Sequence, residues 1–402
     1  MKYIIVLSDG MSDYPIEALS GKTPMEAADK PCMEEMCKKG EVFKVQTVAE
    51  GLKPGSDVAN LSVMGYDPKK YYTGRSPLEA ASIGVTLTES QTAFRANLVT
   101  LGGEGEYADL FMKDYSSDEI SSEEAAQLIK TLDEQINVPG IKLYPGVSYR
   151  HLMVWDNAPE SFKLTPPHDI SDRPVKEYLP DNQVILDIMK QSREILKNHP
   201  VNISRRERGL HTADSLWIWG EGKKPALSSF YDLFGVKGAV ISAVDLIRGI
   251  GYLAGMDVIE VPGVTGNVNT NFDGKAQAAI DALQKDADLV YIHLEAPDEC
   301  GHRGEIQNKV RSIELIDQKI IAPIKEQMEK AGIDHKIMVL PDHPTPLSIK
   351  THAGDPVPCL IYDSTKKLGG ADTFSEKSAE GRLFKTGHKL MGYFLGKEEF
   401  DI

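Results

Sequence analysis

Positive charge is scarce in this 402-residue chain: 45 Lys and Arg stand against 60 Asp and Glu, a formal net charge of −15. Nucleic acid and anionic membrane surfaces are negative themselves, so neither is an expected partner. Cysteine is scarce too. Cys32, Cys37, Cys300 and Cys359 fall in no CxxC pattern and are too few to scaffold a chain of this length with disulfides. No apolar run approaches a membrane span, and no basic segment leads into a signal-peptide core, which makes the cytoplasm the expected location. A phosphate-binding P-loop is missing: Gly21-Lys22-Thr23 looks like its end, but Ile16 occupies the place of its first glycine. A dinucleotide fingerprint is missing as well, because Gly249-Ile-Gly251-Tyr-Leu-Ala254 follows helix-like sequence instead of a strand.

What the chain does have is a set of ligand-type residues just past strand-like runs. His293-Leu-Glu-Ala-Pro-Asp298-Glu-Cys-Gly-His302 follows the apolar run Leu289 to Ile292, and Pro341-Asp342-His343 follows Lys336 to Leu340. At the N-terminus Tyr3 to Leu7 runs into Ser8-Asp9-Gly10, and Thr351-His352 lies a little beyond the second stretch. Open α/β sheets bind ligands at the carboxyl ends of their strands, so Asp9, Asp298 and Asp342 are expected on one rim. With His302, His343 and His352 they make three carboxylates and three imidazoles, enough for two divalent ions. Cys300, between two of these residues, reads as a bystander thiol.

Pro54-Gly55 makes a sharp turn before a helical run from Asp57 to Met64, which puts Ser56 at or near the start of that helix. The bland role for Ser56 is an N-cap. The chemical role is a nucleophile at a helix N-terminus, where backbone N–H groups and the dipole favour an arriving phosphate. A bound metal would supply the activation that a free serine lacks.

Thr73 to Pro77 reads as loop leading into the helical Leu78-Glu-Ala-Ala-Ser, and from about Thr92 the texture changes. Phe94 to Thr100, Tyr107 to Met112 and Tyr149 to Trp155 read as strands. Ser121 to Ile136, opened by a Ser121/Glu124 capping box, and Gln183 to Lys197 read as amphipathic helices. Trp217 to Pro225 reads as a Gly-rich return linker. The expected organisation is a discontinuous catalytic domain, 1–91 and 226–402, interrupted by an inserted α+β lid domain over 92–225. That insert holds Arg95, Arg150-His151 and His168-Asp169, which together suit a cationic clamp and proton carrier for an anionic substrate. Phe272 to Ala287 and Glu305 to Lys330 read as helices with apolar core stripes.

Assembled, these residues resemble the alkaline phosphatase superfamily and, more narrowly, its cofactor-independent phosphoglycerate mutases of the archaeal type. The matching stretches include Leu7-Ser-Asp-Gly, Pro54-Gly-Ser-Asp, Leu61-Ser-Val-Met-Gly-Tyr-Asp-Pro, Val147-Ser-Tyr-Arg-His-Leu, Pro167-His-Asp-Ile, Trp219-Gly-Glu-Gly-Lys-Lys-Pro, Asp298-Glu-Cys-Gly-His and Pro341-Asp-His, and they span nearly the whole chain. The resemblance implies an alkaline-phosphatase-like three-layer α/β/α fold with a mostly parallel sheet. It implies one metal on Asp298, His302 and His352 and a second among Asp9, Ser56, Asp342 and His343, with manganese the leading choice and magnesium, zinc or cobalt the others. No bisphosphoglycerate would be needed. Ser56 would carry the phosphate between the 3- and 2-positions of glycerate, Asp169 would move a hydroxyl proton, and Arg150 or Arg248 would anchor the anion. A metal-dependent phosphatase and a homoserine-kinase-like phosphotransferase are the competing readings.

Overall fold

A computed structural model describes residues 1–402. The chain divides into two compact units, residues 1–72 with 226–402, and residues 73–225. The first division therefore falls between 72 and 73, earlier than the 91/92 boundary expected from sequence. The cause is the helix Ser76–Ser82, whose Ala80 is buried with Leu87 and with Ala93, Leu152 and Val154 of the second unit's own sheet.

The first unit is built on an eight-stranded sheet. Lys2–Ser8 lies at its centre, parallel to Leu289–Leu294 on one side and to His335–Leu340 on the other. Beyond Leu289–Leu294 come the parallel strands Gly238–Ile241 and Asp257–Val258. Beyond His335–Leu340 the direction reverses at Val357–Asp363, which pairs antiparallel with its neighbour and with Glu41–Val45; the short Leu383–Phe384 closes that edge. The expected mostly parallel α/β sheet is borne out. Its central strands are buried along nearly their whole length, the pattern of a sheet covered on both faces.

Side chains alternate across a strand, and the two faces have different work. Ile4 and Val6, with Val290, Ile292, Ile337 and Val339, pack under Phe272–Lys285 and the segment Ile306–Lys330. Each such Ile or Val, fully buried, contributes roughly 1.5–3 kcal/mol. The other face presents Tyr291 and His293 to the helix Ser56–Val63 and the residues around it. Glu305 to Lys330, expected as one helix, is helical without interruption from Ile306, with one π-type turn at Asp317–Ile321 where Pro323 has no N–H to give back.

The second unit is an antiparallel five-stranded sheet about the long strand Gln91–Gly102, which pairs with Arg150–Asp156, Phe111–Asp114 and Ser215–Lys223. The helices Ser122–Gln135 and Gln183–Leu196 bury Leu128, Ile129, Ile185 and Ile188 against it, and Ser121 caps the first by accepting from Glu124 N–H at 3.2 Å; the other half of the expected capping box does not form, because the Glu124 carboxylate is taken by Arg205 and Arg208. Two expectations are corrected. Tyr107–Asp109 is a 3₁₀ turn, with the strand beginning only at Phe111. Ser215–Lys223 is a strand where Trp217 to Pro225 read as a linker. Its Gly222 serves close approach instead of a turn: a Cβ there would lie 2.6 Å from the Thr73 carbonyl oxygen.

Candidate active site

Asp9 follows the central strand directly, and Asp342-His343 lies just past the adjacent one. Asp298 sits one step further on, in the first turn of the helix Ala296–Arg303, and the i,i+4 spacing puts His302 on the same helix face. The rim expected from sequence is formed. His302 Nε2 lies 3.2 Å from Asp298 Oδ2 and 3.0 Å from His352 Nε2, while His352 Nε2 is 3.5 Å from Asp298 Oδ1. His343 Nε2 is 3.4 Å from Asp342 Oδ2 and 3.7 Å from Asp9 Oδ1. Ligand atoms of Asp298, His343 and His352 lie within 4.8 Å of one another, as do those of Asp9, Asp342 and His343. His343 thus belongs geometrically to both groups, where the resemblance gave it to one.

The helix that carries Ser56 begins with Ser56 itself; the N-cap is Gly55. No side-chain cap hydrogen bond forms, so the bland role for this hydroxyl is not the one it takes. Its Oγ instead lies 3.3 Å from Asp9 Oδ2 and 3.2 Å from His343 Nε2.

The imidazoles are oriented from behind. His302 Nδ1 can only donate to the Lys350 carbonyl, 3.0 Å away, which turns its Nε2 toward the site and Asp298. Thr345 Oγ donates to Asp298 Oδ1 at 2.5 Å and so accepts from His343 Nδ1 at 3.3 Å, which turns that Nε2 inward too. Thr345 is held in turn by Lys309, a fully buried lysine whose Nζ donates to the Thr345 carbonyl and to Asp13 Oδ2, each at 2.8 Å. Gly10 N–H donates to Asp342 Oδ1 at 3.2 Å. Its φ is +62°, and a Cβ there would lie 2.7 Å from the Asp298 backbone, so only glycine fits.

The charge balance fits a cation. Asp9, Asp298 and Asp342 are all buried, and Asp9 Oδ1 has no hydrogen-bond partner. Burial, and then the carboxylates of Asp342 and Asp298, push the Asp9 carboxyl well above its ordinary range. Burial works the same way on Asp298, but His302 and His352 outweigh it and hold that carboxyl well below the usual range. An orphaned carboxylate oxygen beside converging imidazole nitrogens is the donor set of a divalent metal site.

Sequence reasoning gave no role to several members of this site. His293 Nε2 lies 2.9 Å from Asp9 Oδ2, and its Nδ1 is 3.2 Å from Ser242 Oγ. Asn60 Nδ2 donates to Asp342 Oδ2 at 2.9 Å, and Tyr291 O–H donates to Asn60 Oδ1 at 2.6 Å. A signal was present: Tyr291 and His293 are polar residues two apart in an otherwise apolar strand, which puts them on one face.

The predicted residues of the second unit separate into two groups. The Arg95 guanidinium lies 4.2 Å over the Trp219 ring, with its Nε 3.0 Å from Glu79 Oε2. The His168 ring is 5.4 Å from Trp219 and 6.1 Å from Tyr115, which contacts Tyr149 at 5.8 Å; Arg150 lies 5.7 Å from that last ring. His168 Nε2 is 3.6 Å from Asp169 Oδ1, and Asp169 is exposed. These form one aromatic and cationic cluster. His151 is not in it: as the neighbour of Arg150 on a strand it takes the opposite face, buried, accepting from Gly146 N–H at 3.0 Å. In the first unit, Arg248 is occupied by Glu260 at 2.8 Å and Asp245 at 3.5 Å.

A serine hydroxyl at the start of a helix, set among buried carboxylates and imidazoles at the carboxyl edge of a parallel sheet, defines a class of α/β enzyme that holds a divalent cation beside a nucleophile. Comparison with known proteins narrows the class. A family model described as 2,3-bisphosphoglycerate-independent phosphoglycerate mutase matches residues 37–202. Proteins of that name from Methanosarcina barkeri and Methanothrix thermoacetophila are 49% and 47% identical over 385 and 382 residues, each alignment covering 94% of this chain and 95% of the relative. A cofactor-independent phosphoglycerate mutase from Thermoplasma acidophilum superposes with a TM-score of 0.67 at 26% identity, over 98% of this chain and 99% of its own. A Pyrococcus horikoshii protein superposes at 0.82 with 29% identity, over 99% and 98%. The chain belongs to the family of 2,3-bisphosphoglycerate-independent phosphoglycerate mutases, and the enzyme class expected from sequence, an isomerase, is borne out. No helix is long and apolar enough to cross a membrane.

Proposed function

We propose that this chain interconverts 3-phosphoglycerate and 2-phosphoglycerate through a phosphoserine at Ser56, with two divalent ions, manganese first among the candidates, held by Asp298, His302 and His352 and by Asp9, Ser56, Asp342 and His343. The observation that carries the reading is the Ser56 hydroxyl, which leaves the capping role and faces Asp9 and His343 instead. The ions, when bound, supply positive charge to the oxygens entering and leaving phosphorus.

Ser56 Oγ attacks the phosphorus of the 3-phosphate; the Oγ–P bond forms and the bond from phosphorus to the glycerate 3-oxygen breaks. The Ser56 proton is directed at Asp9 Oδ2, the carboxylate oxygen 3.3 Å away. Asp169 is the group we assign to protonate the departing 3-oxygen and later to take the proton of the 2-hydroxyl. The 2-oxygen then attacks the phosphorus of phosphoserine; the bond from phosphorus to that oxygen forms, the Oγ–P bond breaks, and Ser56 takes its proton back from Asp9, so phosphate is moved within one molecule and none is released. Arg95, Arg150 and His168 form the cationic set for the glycerate carboxylate and phosphate. His151 and Arg248 are left out of it, the first because it is buried on the opposite strand face and the second because two carboxylates already engage it. The substrate makes the reaction a step of central sugar metabolism.

The test is the purified enzyme loaded with Mn²⁺ and given 3-phosphoglycerate, with 2-phosphoglycerate and free phosphate both followed, alongside Ser56→Ala. The expected result is 2-phosphoglycerate without free phosphate, abolished in the variant. Phosphate alone would make the chain a hydrolase.

A further inference from the structure

We propose that Asn60 and Tyr291 are a positioning pair that fixes how the nucleophile Ser56 and the ligand Asp342 face one another; the inference rests on the roles given to those two residues above. Asn60 lies one helical turn after Ser56 and is fully buried. Its Nδ2 has two hydrogens and two acceptors: the carbonyl oxygen of Ser56 itself at 2.8 Å, and Asp342 Oδ2 at 2.9 Å. One amide therefore ties the backbone of the nucleophile to a carboxylate brought in from the other end of the sequence.

The two ends of an amide are nearly the same size, so packing alone does not decide which faces the carboxylate. Hydrogen bonding does. Reversed, Asn60 would point its oxygen at two acceptors, and its NH₂ at Tyr291. In the observed orientation Tyr291 O–H donates to Oδ1 at 2.6 Å, and every donor meets an acceptor. Tyr291 thus sets the direction of the amide, and the amide sets Asp342.

A neutral donor is what this position requires. Asp342 already accepts from Gly10 N–H and from its neighbour His343 N–H through Oδ1, at 3.2 and 2.9 Å, so Asn60 completes its hydrogen bonding through Oδ2 without adding charge to a group that holds Asp9 and Asp298 as well. A carboxylate at position 60 would be a fourth negative group, and an apolar residue would release Asp342 Oδ2. Tyr291 and His293 share one face of the strand Leu289–Leu294. That single strand orients both carboxylates of the nucleophile's site, Asp9 directly through His293 and Asp342 through Asn60.

The experiment uses the full chain as Tyr291→Phe, Asn60→Ala and the double variant. Binding of Mn²⁺ alone is measured by calorimetry without substrate, together with kcat and KM for 3-phosphoglycerate and the Tm. Tyr291→Phe is expected to keep its Tm within a few degrees, to weaken Mn²⁺ binding about tenfold, and to lower kcat with KM within about twofold. Asn60→Ala is expected to lose more. Because Tyr291 acts only through Asn60, the double variant should be no worse than Asn60→Ala. Wild-type Mn²⁺ affinity and kcat in Tyr291→Phe, or losses that add in the double variant, would overturn the pair. Should Asn60→Ala fail to fold, Tyr291→Phe decides alone. A wild-type chain that binds no Mn²⁺, or a Ser56→Ala variant that keeps mutase activity, would instead overturn the site reading and the pair with it.

Discussion

His293 holds Asp9. Their side chains meet at 2.9 Å, both buried, and Ser242 Oγ stands 3.2 Å behind the other ring nitrogen. Burial lowers the His293 pKa to about 3, so the ring is neutral. A neutral ring with a hydroxyl behind Nδ1 gives its Nε2–H to Asp9 Oδ2 and leaves Asp9 Oδ1 open to a cation. Replacing His293 by Asn should weaken Mn²⁺ binding by roughly 10–100-fold while the fold persists. Calorimetric titration with Mn²⁺ measures this, and an unchanged dissociation constant would remove His293 from the site.

Removing the metal should expose the repulsion among the buried carboxylates. Burial, and then Asp342 and Asp298, push the Asp9 carboxyl well above its ordinary range. Chelator treatment is therefore expected to lower the Tm, and Asp9→Asn is expected to raise the Tm of the metal-free chain by about 2 °C or more relative to the metal-free wild type. The same variant should be inactive when Mn²⁺ is restored. Thermal scans of both proteins with and without chelator make the comparison, and a lower Tm for metal-free Asp9→Asn would contradict the electrostatic account.

Arg95 sets its planar guanidinium 4.2 Å over the Trp219 ring, a contact that lysine cannot reproduce. Arg95→Lys should raise KM for 3-phosphoglycerate on the order of tenfold and change kcat less, since it keeps the charge and loses the fork. Steady-state kinetics test this; an unaltered KM takes Arg95 out of the substrate set.

His151 makes the second unit acid-sensitive. Burial, and then Arg150, bring its pKa down to about 3 from 6.5. Below pH 6.5 the unfolded chain binds a proton that the folded chain refuses, so stability is lost as pH falls from 6.5 toward 3, by about 2–3 kcal/mol at pH 4.5 for this group. His151→Asn keeps an acceptor for Gly146 N–H but has nothing to titrate. Denaturant unfolding at pH 7.0, 5.5 and 4.5 should show a shallower acid loss in the variant, and parallel curves would refute the assignment.

The sequence by itself determined the parts whose physics is local. Runs such as Tyr3 to Leu7 become parallel strands because every side chain along them is apolar, and a strand end followed by Asp or His places ligands at the carboxyl rim whatever the rest of the chain does. Pro54-Gly55 ahead of Asp57 to Met64 was enough to put Ser56 at a helix start. Capping at Ser121 was equally local. Tertiary structure decided what depends on partners far away in the chain. Trp217 to Pro225 carries a turn-like composition, yet as far as Lys223 it is strand because Gln91–Gly102 pairs with it, and the Thr73 carbonyl comes too close to Gly222 for any side chain. Arg150 and His151 look alike as candidates in sequence, but strand alternation sends them to opposite faces. Tyr291 and Asn60 are 231 positions apart, and only the packing of that helix on that strand brings hydroxyl and amide within hydrogen-bond distance. Such a meeting leaves almost no trace in either local sequence, since each residue is there to satisfy the other.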